Sequence, residues 1–251
     1  MRKTGILVLV RHGESTANAE QLFTGLLDVD LTQVGVRQAR IAAQLLEQES
    51  LVPDVVFISP LARARRTAEL IAGDLGIGDA PLVASWRLEA RDYGCLSGLA
   101  KQEVRERHGA ELYFAWRRTL SGRPPAARPE QVATWKVIST RPPGRPSPGE
   151  GESLQDVIDR VRPCWDQEVI PLLHSGHCVL VVAHGNSLRA LCSIIDDLSA
   201  AEVETLNIPA CQPLRYDVTP EDVLLPRGGR YLDVQSAQSA AAQIAREGGT
   251  G

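Results

Sequence analysis

The chain has 251 residues, 43% of them hydrophobic, enough for the core of one domain or of one domain with a large insertion. A net charge of −4 gives no bulk electrostatic reason to expect nucleic acid or an anionic membrane as partner, so any basic site must be local. The apolar run at 5–10 is too short to span a bilayer and leads straight into Arg11 and His12 with no cleavage pattern, so the chain reads as cytoplasmic.

Short apolar runs alternate with helical patterns, the form of an α/β fold with a mainly parallel central sheet flanked by helices on both faces. Strands are predicted at 6–10, 54–59, 82–84, 178–183 and 213–218. Thr32 caps a helix reaching Glu49, and a second helix runs over 61–75 and closes at Gly76. Ser153 caps a long helix in which Pro163 implies a kink or a break, and helices over 186–196 and 200–206 complete the set. Residues 122–151 are crowded with proline, glycine and arginine and read as a long surface excursion, with a lid as one role open to it. From Gln235 the chain is Ala, Gln, Ser and Gly, read as disordered or as a frayed helix. The organisation is thus one domain over 1–233, with an insertion at about 101–151 and a flexible tail over 234–251. The five cysteines lack CxxC spacing and suggest neither a disulfide framework nor a zinc site.

Two segments carry chemistry. LVLVRHGESTAN sets Arg11, His12 and Gly13 directly after an apolar strand, at the sheet edge where open α/β folds bind ligands. A histidine there can serve as nucleophile, acid, base or metal ligand, and a lone one is more often structural. VVAHGNSLRAL repeats the arrangement with His184, Gly185 and Asn186 before a helix whose amides can face an anion. The neighbours Arg11, Ser15, Asn18 and Asn186 suit an oxyanion and repel a cation, which favours phosphate and no metal. Arg63, at the start of the helix after the second strand, can point over the same edge.

RHGESTAN (11–18), FTGLLDVDLT (23–32), YGCLSGLAK (93–101), WRR (116–118), AHGNSLRAL (183–191) and LNIP (206–209) together resemble the histidine phosphatase superfamily, in its cofactor-dependent phosphoglycerate mutase branch. The resemblance covers about 5–120 and 151–233. It implies a 2,3-bisphosphoglycerate-dependent mutase that interconverts 3-phosphoglycerate and 2-phosphoglycerate through a phosphohistidine. His12 would be the nucleophile, with Arg11, Arg63 and His184 offsetting phosphoryl charge. Tyr93, Lys101, Arg117 and Arg118 would hold the far end of a small phosphorylated carboxylic acid. Ser15, Asn18, Thr24, Gly25, Gly185 and Asn186 would line the pocket. The cofactor would be the bisphosphate primer, with no metal, and family members are often oligomers. For Arg117 and Arg118 taken alone, an exposed helix face is the plainer reading.

One segment departs from the family pattern. Where mutases read Asn-Glu-Arg-His before Tyr-Gly, with the glutamate as acid and base, this chain reads Glu89-Ala90-Arg91-Asp92. Three explanations stay open: Glu89 reaches the site from one position early, Asp92 supplies the carboxylate, or the protein is impaired or repurposed. The loop at 122–151 also lacks the family segment. The alternatives to the mutase are therefore a phosphomutase or phosphatase for another small phosphorylated metabolite, and an impaired phosphate-binding homologue.

Overall fold

A computed structural model describes residues 4–138 and 142–248, so residues 139–141 of the excursion and 249–251 of the tail lie outside the described residues. In chain order the elements are β1 (Ile6–Arg11), α1 (Thr16–Ala19), α2 (Gln33–Gln48), β2 (Val55–Ile58), α3 (Ala62–Asp74), β3 (Leu82–Ala84), α4 (Lys101–Arg118), α5 (Pro129–Val132), α6 (Leu154–Cys164), α7 (Ile170–His174), β4 (Cys178–Ala183), α8 (Gly185–Asp196), α9 (Ala200–Thr205), β5 (Leu214–Val218), β6 (Leu224–Tyr231) and α10 (Val234–Gly248).

The described strands form one sheet in the order β3-β2-β4-β1-β5-β6. β3, β2, β4 and β1 are parallel, β5 is antiparallel to β1 and β6 to β5, so the sheet is mainly parallel as the alternation of strand and helix patterns implied. Strand period splits the core into two layers. Leu7, Leu9, Val179 and Val181 face α6 and α8, packing on Leu154, Val157, Leu188 and Leu191. Val8, Val10, Leu180 and Val182 face α2 and α3, packing on Ala39, Leu46, Ala68 and Ile71. β6 escaped the sequence reading because LLPRGGRY carries a proline and two glycines; it lies at the sheet edge, where a missing amide donor is tolerated.

Thr32 caps α2 by accepting from the amide of Gly35, and Ser153 caps α6 in a reciprocal pair with Asp156. Pro163 lies within α6, and the helix widens into a π turn over Trp165–Val169 before α7 resumes.

Two expectations are corrected. The tail read as flexible forms α10, a 15-residue helix whose Ala237 is fully buried. Among the described residues of the excursion none lines the His12 pocket, where a lid would close. The excursion packs behind the segment after β3: the amide of Cys95 donates to Pro125, and Ala127 pairs with Gly149. Gly94 adopts φ +51° there, and a Cβ on it would lie 2.1 Å from the Pro125 carbonyl oxygen.

The loop after β1 is clamped against α2. A Cβ on Gly35 would lie 2.1 Å from the Glu14 carbonyl oxygen, too close for any side chain without a backbone shift. We expect Gly35→Ala to lower unfolding free energy by about 1–3 kcal/mol, the usual cost of overpacking, measured by urea denaturation. An unchanged midpoint would show that this clamp is slack.

Candidate active site

The parallel register of β1 and β4 pairs Arg11 with Ala183, and the amide of His12 donates to the Ala183 carbonyl at 3.0 Å. That register alone sets His12 beside His184, and their rings meet edge to face with centroids 4.9 Å apart. Nδ1 of His12 lies 2.7 Å from the Gly13 carbonyl oxygen. A carbonyl only accepts, so Nδ1 carries the proton and Nε2 keeps its lone pair. Burial, then the charges of Arg63 and Arg11, hold the pKa of His12 well below its ordinary value, so the ring is neutral at pH 7. His184 is depressed by the same burial and by Arg63 and His12. Its Nε2 shares a 2.8 Å hydrogen bond with Ser59 Oγ at the end of β2, and its buried Nδ1 has no hydrogen-bond partner among the described residues.

Arg63 sits in the first turn of α3, buried, and donates to the Gly25 and Leu27 carbonyls at 2.8 Å each. Burial lowers its pKa to about 10, which leaves it cationic at neutral pH. Arg11 is fixed by donating to the Ile208 carbonyl at 2.9 Å. These groups line a cavity of about 150 Å³, sized for a small molecule, together with Asn18, Thr24, Gly25, Gly185 and Asn186. Tyr93, Lys101, Arg117 and Arg118 line it too, so the plainer reading of the two arginines as an exposed helix face fails for that face of α4. Arg118 is buried and donates to the Glu204 and Leu206 carbonyls, while Arg117 donates to Tyr113 Oη. Asn186 donates to Tyr93 Oη at 3.0 Å and accepts from Arg189.

No aspartate or glutamate is among the described residues lining this cavity. Such an electropositive, partly dehydrated site holds a polyanion and offers a neutral imidazole nitrogen to an electrophile within it.

The structure corrects three residues. Ser15 is fully buried outside the cavity, where it caps α1: it accepts from the Asn18 amide and donates to the Asn18 side chain. Glu89 is turned away from His12 into a neighbouring cavity, where its carboxylate accepts from Arg145 Nε at 2.8 Å with both side chains buried. Removing one partner of a buried ion pair costs about 3–5 kcal/mol, so a swing of Glu89 toward His12 is strongly opposed. Arg160 also donates to the Glu89 and Ala90 carbonyls and pins the backbone. Asp92 faces the same second cavity and accepts from the amides of Gly94, Gly149 and Gly151, a loop-organising role. The residue that faces the His12 cavity from this stretch is Ala90, followed by Arg91.

Sequence reasoning missed Arg189, Asn207 and Ile244, which also line the cavity. Arg189 had a signal, since it falls one helical turn after Asn186 on the same face of α8. Ile244 of α10 had none.

Buried neutral histidines, a ring of guanidiniums and a parallel sheet edge define a class of phosphoryl-binding α/β proteins. Residues 7–137 and 119–226 match the family model of the histidine phosphatase superfamily (branch 1), and the chain belongs to that superfamily. It is 42% identical over 251 residues to the 2,3-bisphosphoglycerate-dependent phosphoglycerate mutase of Cutibacterium acnes, covering 98% of this chain and 99% of the relative. It is 41% identical over 245 residues to the enzyme of the same name from Corynebacterium efficiens, covering 98% of each. Among solved structures, a mycobacterial glucosyl-3-phosphoglycerate phosphatase superposes with a TM-score of 0.62 at 27% identity, covering 84% of this chain and 92% of that one. A protein of Bacillus stearothermophilus at 22% identity, with a TM-score of 0.66 over 88% of this chain and 94% of that one, shares the fold.

Glu89→Gln, assayed below its unfolding transition, is expected to change turnover by much less than the ~10²-fold that loss of a general acid costs. A loss of that size or more would return Glu89 to the reaction.

The two histidines also set a pH dependence. Their folded pKa values lie below the ordinary 6.5, so the unfolded chain binds more protons below pH 6.5. Their stabilising contribution is present above 6.5 and is lost as pH falls toward the depressed folded values, at about 1.4 kcal/mol per pH unit for each histidine. The double variant His12→Asn, His184→Asn should lose that slope between pH 6.5 and 5 in chemical denaturation. An unchanged slope would mean the histidines are protonated in the folded protein.

Proposed function

We propose that the protein is a 2,3-bisphosphoglycerate-dependent phosphoglycerate mutase, which interconverts 3-phosphoglycerate and 2-phosphoglycerate through a phosphohistidine on His12. The observation that carries this reading is the tautomer of His12: its Nδ1 proton is held by Gly13, and Nε2 is the nucleophilic atom beside Arg11, Arg63 and His184. The relatives that bear this name at about 40% identity over nearly the whole chain support the substrate. The reaction, a step of glycolysis and gluconeogenesis, assigns the protein to the cytoplasm. Among the described residues no helix is long and apolar enough to cross a membrane.

The bisphosphate primer fits the donor set. His184 Nδ1 is a buried polar atom with no partner among the described residues, and the surrounding guanidiniums are desolvated. Arg11, Arg63 and His184 would hold the phosphoryl group next to His12, and Tyr93, Lys101, Arg117 and Arg118 the far phosphate and carboxylate. The primer supplies the phosphoryl group that charges His12. The arginines offset the negative charge that otherwise repels the imidazole, and the neutral ring needs no deprotonation before attack.

His12→Asn is expected to abolish both acid-labile phosphoenzyme and isomerisation. Arg63→Met is expected to lower kcat/KM by about 10²- to 10³-fold. Isomerisation that persists without the bisphosphate, or in His12→Asn, would overturn the assignment.

A second reading is favoured by one observation, that Ala90 stands where the family glutamate is expected. It is a phosphomutase or phosphatase for another small phosphorylated metabolite, and release of inorganic phosphate from a substrate panel without isomerisation would select it. A further arm covers an impaired homologue: phosphate binding with no labelling of His12 would identify one.

A further inference from the structure

The stretch after β3 that brings Ala90 to the His12 cavity also brings a phenol. Tyr93 lines that cavity, and its ring packs edge to face on Phe23 with centroids 4.9 Å apart. Its backbone amide lies 3.2 Å from where a Cβ on Gly25 would stand, and the Gly25 carbonyl is one of the two that receive Arg63. Its hydroxyl meets Asn186 in the first turn of α8, just after His184 at the cap. Tyr93 is thus tied to both sides of the pocket that holds the reacting phosphoryl group.

The hydrogen bonds fix which way the phenol faces chemically. A guanidinium only donates, and Arg189 donates to Asn186 Oδ1 at 2.8 Å, so the amide of Asn186 turns its Nδ2 toward Tyr93. Nδ2 donates to Tyr93 Oη at 3.0 Å. The phenolic oxygen is therefore engaged as an acceptor, and its own hydrogen has no acceptor among the described residues.

We propose that Tyr93 is the proton carrier of phosphoryl transfer, giving its hydroxyl hydrogen to the departing ester oxygen and taking it back from the acceptor hydroxyl. The inference rests on the phosphohistidine reading above and places Tyr93 at the bridging oxygen of the substrate, leaving the far anion to Lys101, Arg117 and Arg118.

An alkyl phosphate must expel an alkoxide about as basic as hydroxide, the conjugate base of water, whose pKa is about 15.7. A phenol, with an ordinary pKa near 10, is protonated at pH 7 and is the stronger acid, so transfer to the alkoxide is downhill. Burial pushes the Tyr93 pKa up, but Arg91, Arg117, the Asn186 hydrogen bond and Arg189 more than offset it, and the net displacement is downward. The Arg91 guanidinium stands 5.5 Å from the ring centroid. The other charged groups on the cavity, Arg11, Arg63, Lys101 and Arg118, are also cations, so the phenolate left behind is stabilised from every side.

The remaining donors are committed elsewhere. The one N–H of neutral His12 is held by the Gly13 carbonyl, and His184 Nε2 is engaged by Ser59. Arg63 and Arg118 donate to main-chain carbonyls. Lys101 Nζ, at the exposed start of α4, bonds to the Gln21 side chain at 3.4 Å, and its hydrated ammonium suits the far anion.

In the first half, Nε2 of His12 bonds to phosphorus as the bond from phosphorus to the ester oxygen breaks. The electron pair stays on that oxygen, which takes the proton of Tyr93. In the second half, the phenolate takes the proton of the acceptor hydroxyl, whose oxygen bonds to phosphorus while the bond to Nε2 breaks and its pair returns to the ring. Tyr93 ends as it began, and no co-reactant is needed.

The test uses the full chain with a series of aryl phosphates of graded leaving-group pKa, 3-phosphoglycerate and 2,3-bisphosphoglycerate. Aryl phosphates carry no second anionic group, so loss of a mere anchor leaves their leaving-group dependence unchanged. Wild type should show a shallow dependence of kcat/KM on leaving-group pKa, and Tyr93→Phe a steep one. The variant should lose about 10²- to 10⁴-fold in isomerisation but less than about tenfold on 4-nitrophenyl phosphate. Charging of His12 by the bisphosphate should fall at high pH in wild type, as the phenol ionises, and that limb should vanish in Tyr93→Phe.

A steep dependence in wild type, or an equal loss along the whole series in Tyr93→Phe, would overturn the proposal. So would a steepened dependence in Lys101→Met with none in Tyr93→Phe, which would give the proton to Lys101. Should Tyr93→Phe not fold, 3-fluorotyrosine at position 93, a stronger acid of nearly the same size, decides: the high-pH limb should move to lower pH, and an unmoved limb would sink the assignment. Labelling of His12 with an unchanged dependence in Tyr93→Phe removes only this proposal. No labelling from any donor removes the phosphohistidine reading and this proposal with it.

Discussion

The pairing of β1 with β4 is the constraint on which the site depends. Parallel strands paired in register end side by side, and here Arg11 opposite Ala183 brings His12 and His184 out of the sheet next to each other. A slip of one residue would turn each strand's apolar set to the wrong layer, so the two core clusters fix the register that the site requires. From β2, paired on the other side of β4, Ser59 closes on His184 Nε2. Packing thus sets the ring positions before any ligand contributes.

The same burial that fixes the rings decides their charge. Protonated imidazoles would add to the charge of Arg11 and Arg63 in a low-dielectric setting, and both rings respond by remaining neutral. The guanidiniums have no such outlet. Arg63, Arg118 and Arg189 are each desolvated, and their pKa values fall accordingly, yet they remain cations. Several are tied to main-chain carbonyls, which offset part of the desolvation without cancelling the charge. Like-charge repulsion stored in this way is relieved when an anion enters, so binding strength and phosphoryl activation share one source.

What was legible in the sequence was local. The two His-Gly segments follow strands whose apolar runs are unmistakable, and the caps Thr32 and Ser153 announce α2 and α6 through short-range hydrogen bonds. What was not legible depends on distant partners. Glu89 looked like a candidate acid because its direction cannot be read from its neighbours; it is set by Arg145, 56 residues on, and Arg160, 71 residues on. The stretch over 122–151 showed its prolines and glycines but not that Gly149 and Gly151 would be drawn to Asp92. Likewise α10 has a composition that fits disorder, and it orders through contacts with α4 and β6 that no local pattern encodes.

Along the stretch 89–92 side-chain direction divides fold from site. Its outward residues, Glu89 and Asp92, hold the excursion in place, through a buried ion pair and a set of amide donors. Its inward residues face a cavity whose other walls are basic. A carboxylate facing inward here would lie among Arg11, Arg63 and Arg91, whose charges would favour its ionised form and so weaken it as an acid, while burial would push the other way. With alanine at position 90 that balance does not arise.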